Sequence, residues 1–202
     1  MNTLSFHRGS ARMFENNALE RLSHVHPATP ALIFVPVMAL SLYAAALIYR
    51  TAPSTLLWQM AGGYLAWTLF EYWLHRLLFH LPVRGPISAG IYFFIHGVHH
   101  DWPWDTSRLV MPPAVSVSLA LLFYCVFCSI FGSAQAHGFF AGFVGGYLIY
   151  DTVHWYIHAG HPRTRWGNYL QRQHMIHHFR APNTRFGVSC PWWDVVFRTC
   201  DR

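Results

Sequence analysis

The sequence has few charged residues and no lysine. Only 11% of its 202 residues are charged, whereas an ordinary soluble domain has about 25%. All 14 basic residues are arginine, and they outnumber the eight acidic residues. The shortage of charge argues against a water-soluble domain and favours lipid as the main solvent. The arginines flank apolar segments, which is typical of membrane topology and does not favour nucleic-acid binding.

Cysteine is also scarce, and its four copies do not form a convincing disulfide framework. Cys125 and Cys128 have the CxxC spacing, but they lie inside an apolar run, where we interpret them as small lipid-facing or packing residues. A cleavable signal peptide is not apparent either. The first long apolar run begins near residue 30, after a polar leader, and it is too long for the apolar core of a signal sequence.

Long apolar segments, by contrast, are abundant. A helix needs about 20 residues to cross a bilayer core of about 30 Å. Four segments have about this length, and they span residues 31–49, 55–75, 114–131 and 138–158. We expect the last of them to be interrupted at Asp151. The sequence therefore predicts an all-α integral membrane protein with four transmembrane helices.

The remaining residues are expected to form a leader and a cap. We place the leader at residues 1–29 and the membrane domain at 30–202, with a helical cytosolic cap formed by 76–110 and 159–202. With four spans, the leader and both parts of the cap lie on one side of the membrane. Of the 14 arginines, 13 fall there, and only Arg50 falls in a turn on the far side. Because arginine-rich loops stay in the cytoplasm, the cap should face the cytoplasm, in a bacterial inner membrane or the endoplasmic reticulum.

Histidine is greatly over-used, with 15 copies. Ten of these residues form two spaced pairs and two HxxHH motifs, namely His75 and His80; His96, His99 and His100; His154 and His158; and His174, His177 and His178. On a helix, positions i, i+3 and i+4 share one face, so each motif directs its imidazoles the same way. Imidazole is the commonest neutral metal ligand. We therefore predict a metal centre in preference to scattered, solvated histidines.

Ten ligands are too many for one tetrahedral zinc site. They suit two metal ions with four to six ligands each and with open positions, which O₂ chemistry needs. The Glu-x-x-His pattern of soluble di-iron bundles is absent. Acidic residues instead lie beside the histidines, and we predict that they accept hydrogen bonds from the imidazoles and fix their tautomers; these acids are Glu71, Asp101 and Asp151.

Polar residues that follow the last histidine motif are candidates for contact with a lipid. These residues are Arg180, Asn183 and Arg185. They could bind the polar head group of a substrate, or they could simply anchor the chain to anionic lipid.

The order of the histidine motifs resembles that of the integral-membrane fatty acid hydroxylase and sterol desaturase superfamily. The likeness extends from about residue 65 to residue 200 and includes the stretches Glu71 to His80, Tyr150-Asp151, His174 to Phe179 and Trp193 to Phe197. Within the superfamily, Met111-Pro112-Pro113 and Phe186-Gly187-Val188-Ser189 are similar to fatty acid 2-hydroxylases, which act on sphingolipid acyl chains.

This resemblance implies a di-metal centre bound by the ten histidines, with iron as the working metal and zinc as an occupant in purified protein. It also implies O₂ as the oxidant and a membrane lipid as the substrate. Many eukaryotic relatives carry a fused cytochrome b5 domain with a His-Pro-Gly-Gly haem motif, which the leader lacks. We therefore expect electrons from a separate donor, such as a cytochrome b5-like protein, a ferredoxin or a reductase.

The leading hypothesis is O₂-dependent 2-hydroxylation of a long acyl chain, either free or in ceramide. The same histidines would equally serve a sterol desaturase, a carotenoid hydroxylase or another lipid oxygenase of the superfamily. A membrane metal transporter or sensor is a non-enzymatic alternative, although clusters at one membrane face do not line a path across it. A purely structural metal protein would have no open coordination position.

Overall fold

The structure, a computed structural model, describes residue 7 and residues 9–200 and contains no β-strand in that part of the chain. The all-α prediction is therefore confirmed for the described residues. The described residues form nine α-helices, which are α1 (Asn17–Ser23), α2 (Thr29–Tyr43), α3 (Pro53–Trp73), α4 (Pro86–Tyr92), α5 (Val98–Asp101), α6 (Pro113–Phe131), α7 (Ser133–Ala159), α8 (Arg165–Phe179) and α9 (Trp192–Val196). Three π-helical turns extend α2, α3 and α4, at Ala44–Ile48, Leu74–Phe79 and Phe93–Gly97.

Four of these helices correspond to the four predicted spans. Among the described residues, the segments Thr29–Ile48 and Thr106–Phe131 are both long and apolar enough to cross a bilayer. Helices α3 and α7 have 21 and 27 residues, so they are long enough, but they contain more glycine and polar residues. Length and composition therefore support two spans, and the four-span topology stays a prediction.

Helix α7 continues through Asp151 without a break, so the predicted interruption is wrong. The Asp151 carboxylate accepts hydrogen bonds from the Tyr147 hydroxyl, at 2.8 Å, and from the Met111 backbone N–H, at 3.4 Å. Tyr147 lies one helical turn earlier on the same face. The buried carboxylate thus finds donors without unwinding the helix, which removes the physical reason for an interruption.

The chain divides into two compact units. One contains residues 28–69 and 111–151, and we call it the apolar unit. The other contains the described residues up to Pro27, residues 70–110 and residues 152–200. All ten histidines of the four clusters belong to this second unit, which we call the histidine unit.

Helices α3 and α7 approach each other closely within the apolar unit, because glycine lies at the contact. A Cβ atom on Gly63 would come within 1.9 Å of the Phe139 carbonyl oxygen, and one on Gly142 within 2.0 Å of the Met60 carbonyl oxygen. Small residues at such positions let two helix backbones touch, which is a common device in membrane proteins. The Trp67 ring packs edge-on against Phe143, with ring centroids 5.2 Å apart.

The described part of the leader up to Pro27 belongs to the histidine unit and is attached to it by Arg108. The side chain of Arg108 is only 4% exposed and donates to Glu20, at 2.6 Å, and to Asp105, at 3.1 Å. It also donates to the Ala11 carbonyl oxygen at 2.7 Å. Glu20 in turn accepts hydrogen bonds from the backbone N–H groups of Met13 and Phe14. The leader is thus bonded to the rest of its unit by an ion-pair network that spacing alone did not predict.

Replacing Gly142 by alanine is expected to destabilise the protein, because the added methyl group would overlap the Met60 carbonyl group. Overpacking of this kind typically costs about 1–3 kcal/mol. The free energy of unfolding, measured in detergent micelles, would test it. Gly90→Ala is the matched control, since Gly90 is also helical but a Cβ there meets nothing within 4 Å. Equal stability of the two variants would contradict the close approach of α3 and α7.

Candidate metal centre

The ten clustered histidines assemble into two groups of five. Within each group, one potential ligand nitrogen from every residue lies within 4.8 Å of all the others. Group one consists of His75, His80, His96, His100 and His177, and group two consists of His99, His154, His158, His174 and His178. All ten are buried except His80, which is partly exposed.

Each HxxHH motif is divided between the two groups. In the first motif His96 and His100 join group one, whereas His99 joins group two. In the second motif His174 and His178 join group two, whereas His177 joins group one. The first and last histidines of a motif are one helical turn apart and belong to the same group, whereas the middle histidine belongs to the other group. Both motifs therefore connect the two groups.

The spaced pair at the end of α3 depends on a π-helical turn. Positions five apart on an α-helix point about 140° away from each other, since the helix has 3.6 residues per turn. Here the backbone N–H of His80 bonds to the carbonyl oxygen of His75, five residues earlier, at 3.2 Å. The wider turn brings the two imidazoles within 5.1 Å of each other, centroid to centroid. Such turns occur frequently at functional sites.

Helices α7 and α8 supply four of the five imidazoles of group two. His154 and His158 lie one turn apart on α7, with ring centroids 5.0 Å apart. His174 and His178 lie one turn apart on α8, with ring centroids 4.6 Å apart. The fifth imidazole, that of His99, comes from the short helix α5.

Short contacts between imidazoles indicate where their nitrogens converge. Each of four such contacts in the described chain joins two Nε2 atoms, with separations of 3.0 Å for His80 and His177, 3.0 Å for His99 and His154, 2.8 Å for His158 and His174, and 3.1 Å for His174 and His178. Metal–nitrogen bonds of about 2.0–2.1 Å place two ligand nitrogens at right angles about 3 Å apart. The observed separations fit nitrogens that share one metal ion.

Buried nitrogens without partners point to the same interpretation. The Nε2 atoms of His75, His96 and His100 are buried and have no hydrogen-bond partner among the described residues. Leaving a buried polar atom unsatisfied costs about 1–3 kcal/mol, and all three atoms belong to group one. A bound cation would satisfy all three lone pairs at once. The residues present therefore fit metal ions, and both groups could hold one.

Backbone carbonyl oxygens determine which nitrogen of three imidazoles carries the proton and which one keeps its lone pair. The Nδ1–H groups of His75 and His177 donate to the carbonyl oxygens of Phe186 and Thr184, both at 2.6 Å. In group two, Nδ1–H of His154 donates to the carbonyl oxygen of Leu109 at 2.9 Å. A neutral imidazole carries its proton on one nitrogen only. Donation from Nδ1 therefore leaves Nε2 with the lone pair that a metal ion requires.

The surroundings of the imidazoles favour their neutral form. Burial lowers the pKa of His177 to about 4. Burial, together with the neighbouring His177 and His100, lowers the pKa of His80 to about 2. These side chains are thus deprotonated at pH 7, as metal binding requires.

The acidic residues predicted to bond to imidazoles lie in different environments. Glu71 is buried and accepts hydrogen bonds from the backbone N–H groups of Val188 and Ser189, at 2.9 and 2.8 Å, and from the Ser189 hydroxyl. Asp151 bonds to Tyr147 and Met111. The carboxylate of Asp101 forms no hydrogen bond with an imidazole in the described chain. Carbonyl oxygens accept the Nδ1–H groups of His75 and His154, next to which the sequence predicted Glu71 and Asp151, and a carbonyl oxygen also accepts that of His177.

The three predicted head-group residues also differ. Arg180 and Asn183 are exposed, whereas Arg185 is partly buried and adopts a positive φ of 59°. The Arg185 guanidinium donates to the side-chain oxygens of Gln173, at 2.8 Å, and Thr184, at 3.1 Å. Arg185 thus stabilises the turn that presents the Thr184 carbonyl group to His177. A head-group role for Arg180 and Asn183 stays a prediction.

Sequence reasoning missed Asp194, which is 2% exposed. Its carboxylate accepts hydrogen bonds from the backbone N–H groups of Phe186 and Gly187, at 2.8 and 2.9 Å. It also accepts one from the Thr199 hydroxyl at 2.7 Å. The sequence contained one signal for it, because Asp194 is the single acid among the apolar residues of Trp192–Val196. An acid in such surroundings needs hydrogen-bond donors if it is buried.

The fatty acid hydroxylase family model matches residues 60–199. The chain belongs to this family. The resemblance that the histidine motifs indicated is therefore confirmed. Dihydroceramide fatty acyl 2-hydroxylase FAH2 of Arabidopsis thaliana is 35% identical over 189 residues, covering 93% of this chain and 79% of the relative.

A further curated protein and a solved structure are also similar to this chain. Fatty acid 2-hydroxylase of Rattus norvegicus is 40% identical over 142 residues, which are 68% of this chain but only 38% of the relative. The solved structure of full-length Scs7p, in which only the hydroxylase domain is visible, is 33% identical, with a TM-score of 0.87. That match covers 95% of this chain and 72% of the Scs7p chain.

Removing two imidazoles from one group is expected to release one metal ion and to retain the other, because the groups share no residue. His75→Ala with His80→Ala should leave one ion in group two, and His154→Ala with His158→Ala should leave one in group one. Elemental analysis of the purified protein would measure the ions per chain. His161→Ala is the control, since His161 is exposed and outside both groups. Loss of both ions from either double variant would contradict two separable sites.

Proposed function

We propose that the protein hydroxylates carbon 2 of a long fatty acyl chain, either free or within ceramide or a related sphingolipid. The observation that carries this proposal is the pair of five-histidine groups in a member of the fatty acid hydroxylase family. The names of the Arabidopsis and rat relatives support the position of the oxidation, since both are acyl 2-hydroxylases. The Scs7p structure supports the same fold for the region that holds the histidines.

The stoichiometry of the proposed reaction shows which metal and which electron source the protein requires. One oxygen atom of O₂ enters the C–H bond next to the carbonyl carbon, and the other leaves as water, with consumption of two electrons and two protons. Iron is the metal we propose, because it supplies the redox chemistry for O₂ activation, which zinc lacks. Neither the imidazoles nor the substrate provides the two electrons. We therefore propose a separate donor, such as a cytochrome b5-like protein, a ferredoxin or a reductase.

The residues of the chain prepare the site for this chemistry. The ten imidazoles hold the metal ions, and the carbonyl groups of Leu109, Thr184 and Phe186 keep the Nε2 lone pairs of three ligands free. Burial excludes water from the ligands, which protects a reactive centre from side reactions. Since the imidazoles are neutral, the charge of the metal ions is not cancelled by the ligands.

We propose that α2, α3, α6 and α7 all span the bilayer, which would give the enzyme access to a membrane lipid. The lengths of these helices and the apolar character of α2 and α6 support this topology. The arginine distribution favours a cytoplasmic position for the histidine unit, in a bacterial inner membrane or the endoplasmic reticulum. The exposed Arg180 and Asn183 are then available to the polar head group of the lipid.

The alternatives have less support. The relatives reported above are named for acyl 2-hydroxylation, which does not favour a sterol desaturase or a carotenoid hydroxylase. A metal transporter would need ligands distributed along a path. The clustered histidines of this chain instead gather in two compact groups within one unit.

Expression of the chain in a host without 2-hydroxy lipids is expected to produce 2-hydroxy acyl chains that carry label from ¹⁸O₂. Mass spectrometry of the hydrolysed lipids would locate the hydroxyl group and the label. His177→Ala should lower the product at least about 100-fold, because it removes a ligand, whereas loss of an outer partner already costs about 10–100-fold.

His161→Ala, which leaves both histidine groups intact, should match the wild type in this assay. Hydroxylation at another carbon or of a sterol would contradict the proposed position and substrate. Failure to form any product by protein that carries both metal ions, with O₂ and reductant supplied, would contradict the hydroxylase function itself.

A further inference from the structure

The segment Thr184–Thr199 contributes no histidine, yet it contacts two ligands of group one. Its carbonyl oxygens at Phe186 and Thr184 accept the Nδ1–H groups of His75 and His177 at 2.6 Å. In group two, the corresponding acceptor for His154 is Leu109, which lies outside the segment. The two groups therefore obtain this support from different parts of the chain.

Two buried carboxylates hold the segment in place. Asp194 accepts the backbone N–H groups of Phe186 and Gly187, and Glu71 accepts those of Val188 and Ser189. Four consecutive backbone donors thus bond to two carboxylates, each 2% exposed. Hydrogen bonds to an ionised acceptor are about twice as strong as neutral ones, and in the interior little water competes for the donors.

A single peptide plane connects Asp194 to His75. The carbonyl oxygen of Phe186 and the N–H of Gly187 belong to the same peptide group, which is planar, so the two point in opposite directions. The N–H donates to the Asp194 carboxylate at 2.9 Å, and the carbonyl oxygen accepts from His75 at 2.6 Å. A rotation of this peptide group would break both bonds together. The orientation of the His75 ring is therefore coupled to Asp194.

A second connection runs to His177. The Thr199 hydroxyl donates to Asp194, and the Thr199 carbonyl oxygen accepts the backbone N–H of Arg185 at 3.0 Å. Arg185 directly follows Thr184, whose carbonyl oxygen bonds to His177. The Nδ1–H bonds of His75 and His177, which both belong to group one, thus depend on the same segment.

We propose that Glu71 and Asp194 are positioning residues for group one alone, and that they determine how tightly this group retains its metal ion. The inference rests on the proposed function, since it takes each group as the site of one metal ion. Group two keeps its ion when the segment is released, because the bond between His154 and Leu109 does not involve the segment.

Asp194→Asn and Glu71→Gln test this inference. Each keeps the size of the side chain and removes its negative charge. In Asp194→Asn the new NH₂ group would oppose the backbone N–H of Phe186 or Gly187, since each oxygen of Asp194 accepts one of them. In Glu71→Gln the backbone N–H groups of Val188 and Ser189 both bond to Oε1, so this variant weakens their bonds by removing the charge of the acceptor. We expect the iron content of the purified protein to fall from two ions per chain to one. Where an ion remains in group one, its release to a chelator should be about 10–100-fold faster, the usual effect of removing an outer partner. Circular dichroism should show unchanged helix content.

Combined variants identify the group that has lost its ion. Adding His75→Ala and His80→Ala to Asp194→Asn should cause no further loss, whereas adding His154→Ala and His158→Ala should remove the second ion. Thr199→Val provides a milder change, since it removes the hydroxyl bonds of Thr199 to Asp194 and Tyr72 but leaves all four backbone bonds to the two carboxylates. It should accelerate release from group one without affecting group two.

Glu20→Gln is the matched control. Glu20 also accepts two consecutive backbone N–H groups, those of Met13 and Phe14, and it lies in the same unit. It does not hold the segment Thr184–Thr199, so this variant should keep both ions and the wild-type release rate.

Each result can be assigned. Two ions and an unchanged release rate in both carboxylate variants and in Thr199→Val would overturn the inference and leave the proposed function intact. Loss of both ions, or an equal loss in Glu20→Gln, would show that the carboxylates support the whole unit and would overturn the selectivity. If the wild-type protein bound its metal ions without needing the two histidine groups, that result would contradict the proposed function, on which this inference rests.

Discussion

The histidine unit depends on the convergence of ten neutral imidazoles in a buried space. Their Nε2 atoms approach one another to about 3 Å, and three of these atoms have no hydrogen-bond partner among the described residues. Burial disfavours the charged form of an imidazole and lowers the pKa of His177 to about 4. Without a cation, this arrangement would leave polar atoms unsatisfied at considerable cost. With a cation at each group, the same lone pairs become ligands.

The supports of the imidazoles are arranged in two layers. Carbonyl oxygens bond directly to His75, His154 and His177, and they fix the tautomer without adding negative charge next to the metal. Carboxylates lie one step further out. Glu71 and Asp194 bond to the backbone of the segment Thr184–Thr199, so their influence passes through peptide groups. This arrangement keeps the acidic residues near the ten histidines but leaves the imidazole nitrogens as the candidate metal ligands.

The apolar unit follows a different physical principle. Its helices bury few polar groups, and the contact between α3 and α7 relies on close packing at glycine instead of on long side chains. The one acid in this part of α7, Asp151, is bonded to Tyr147 and Met111. Helices α3 and α7 each contribute residues to both units, and the ligands His154 and His158 follow Asp151 on the same continuous helix. The spacing of this pair is therefore fixed by helix geometry.

Local patterns in the sequence determined the helical character of the chain, the positions of the apolar helices, the family and the ten histidines that come together. These features follow from hydrophobic length and from short spacings along a helix, which act between near neighbours. The tertiary structure decided how the histidines divide, because His99 joins His154, 55 residues away, and not His96 from its own motif. It also placed His75 and His80 together through a π-helical turn, and it gave the tautomer-fixing positions to carbonyl groups. Glu71 bonds to Val188 across 117 residues, and Asp194 is connected to His75 only through a peptide plane whose carbonyl oxygen bonds to His75 across 111 residues. No local pattern specifies either relation.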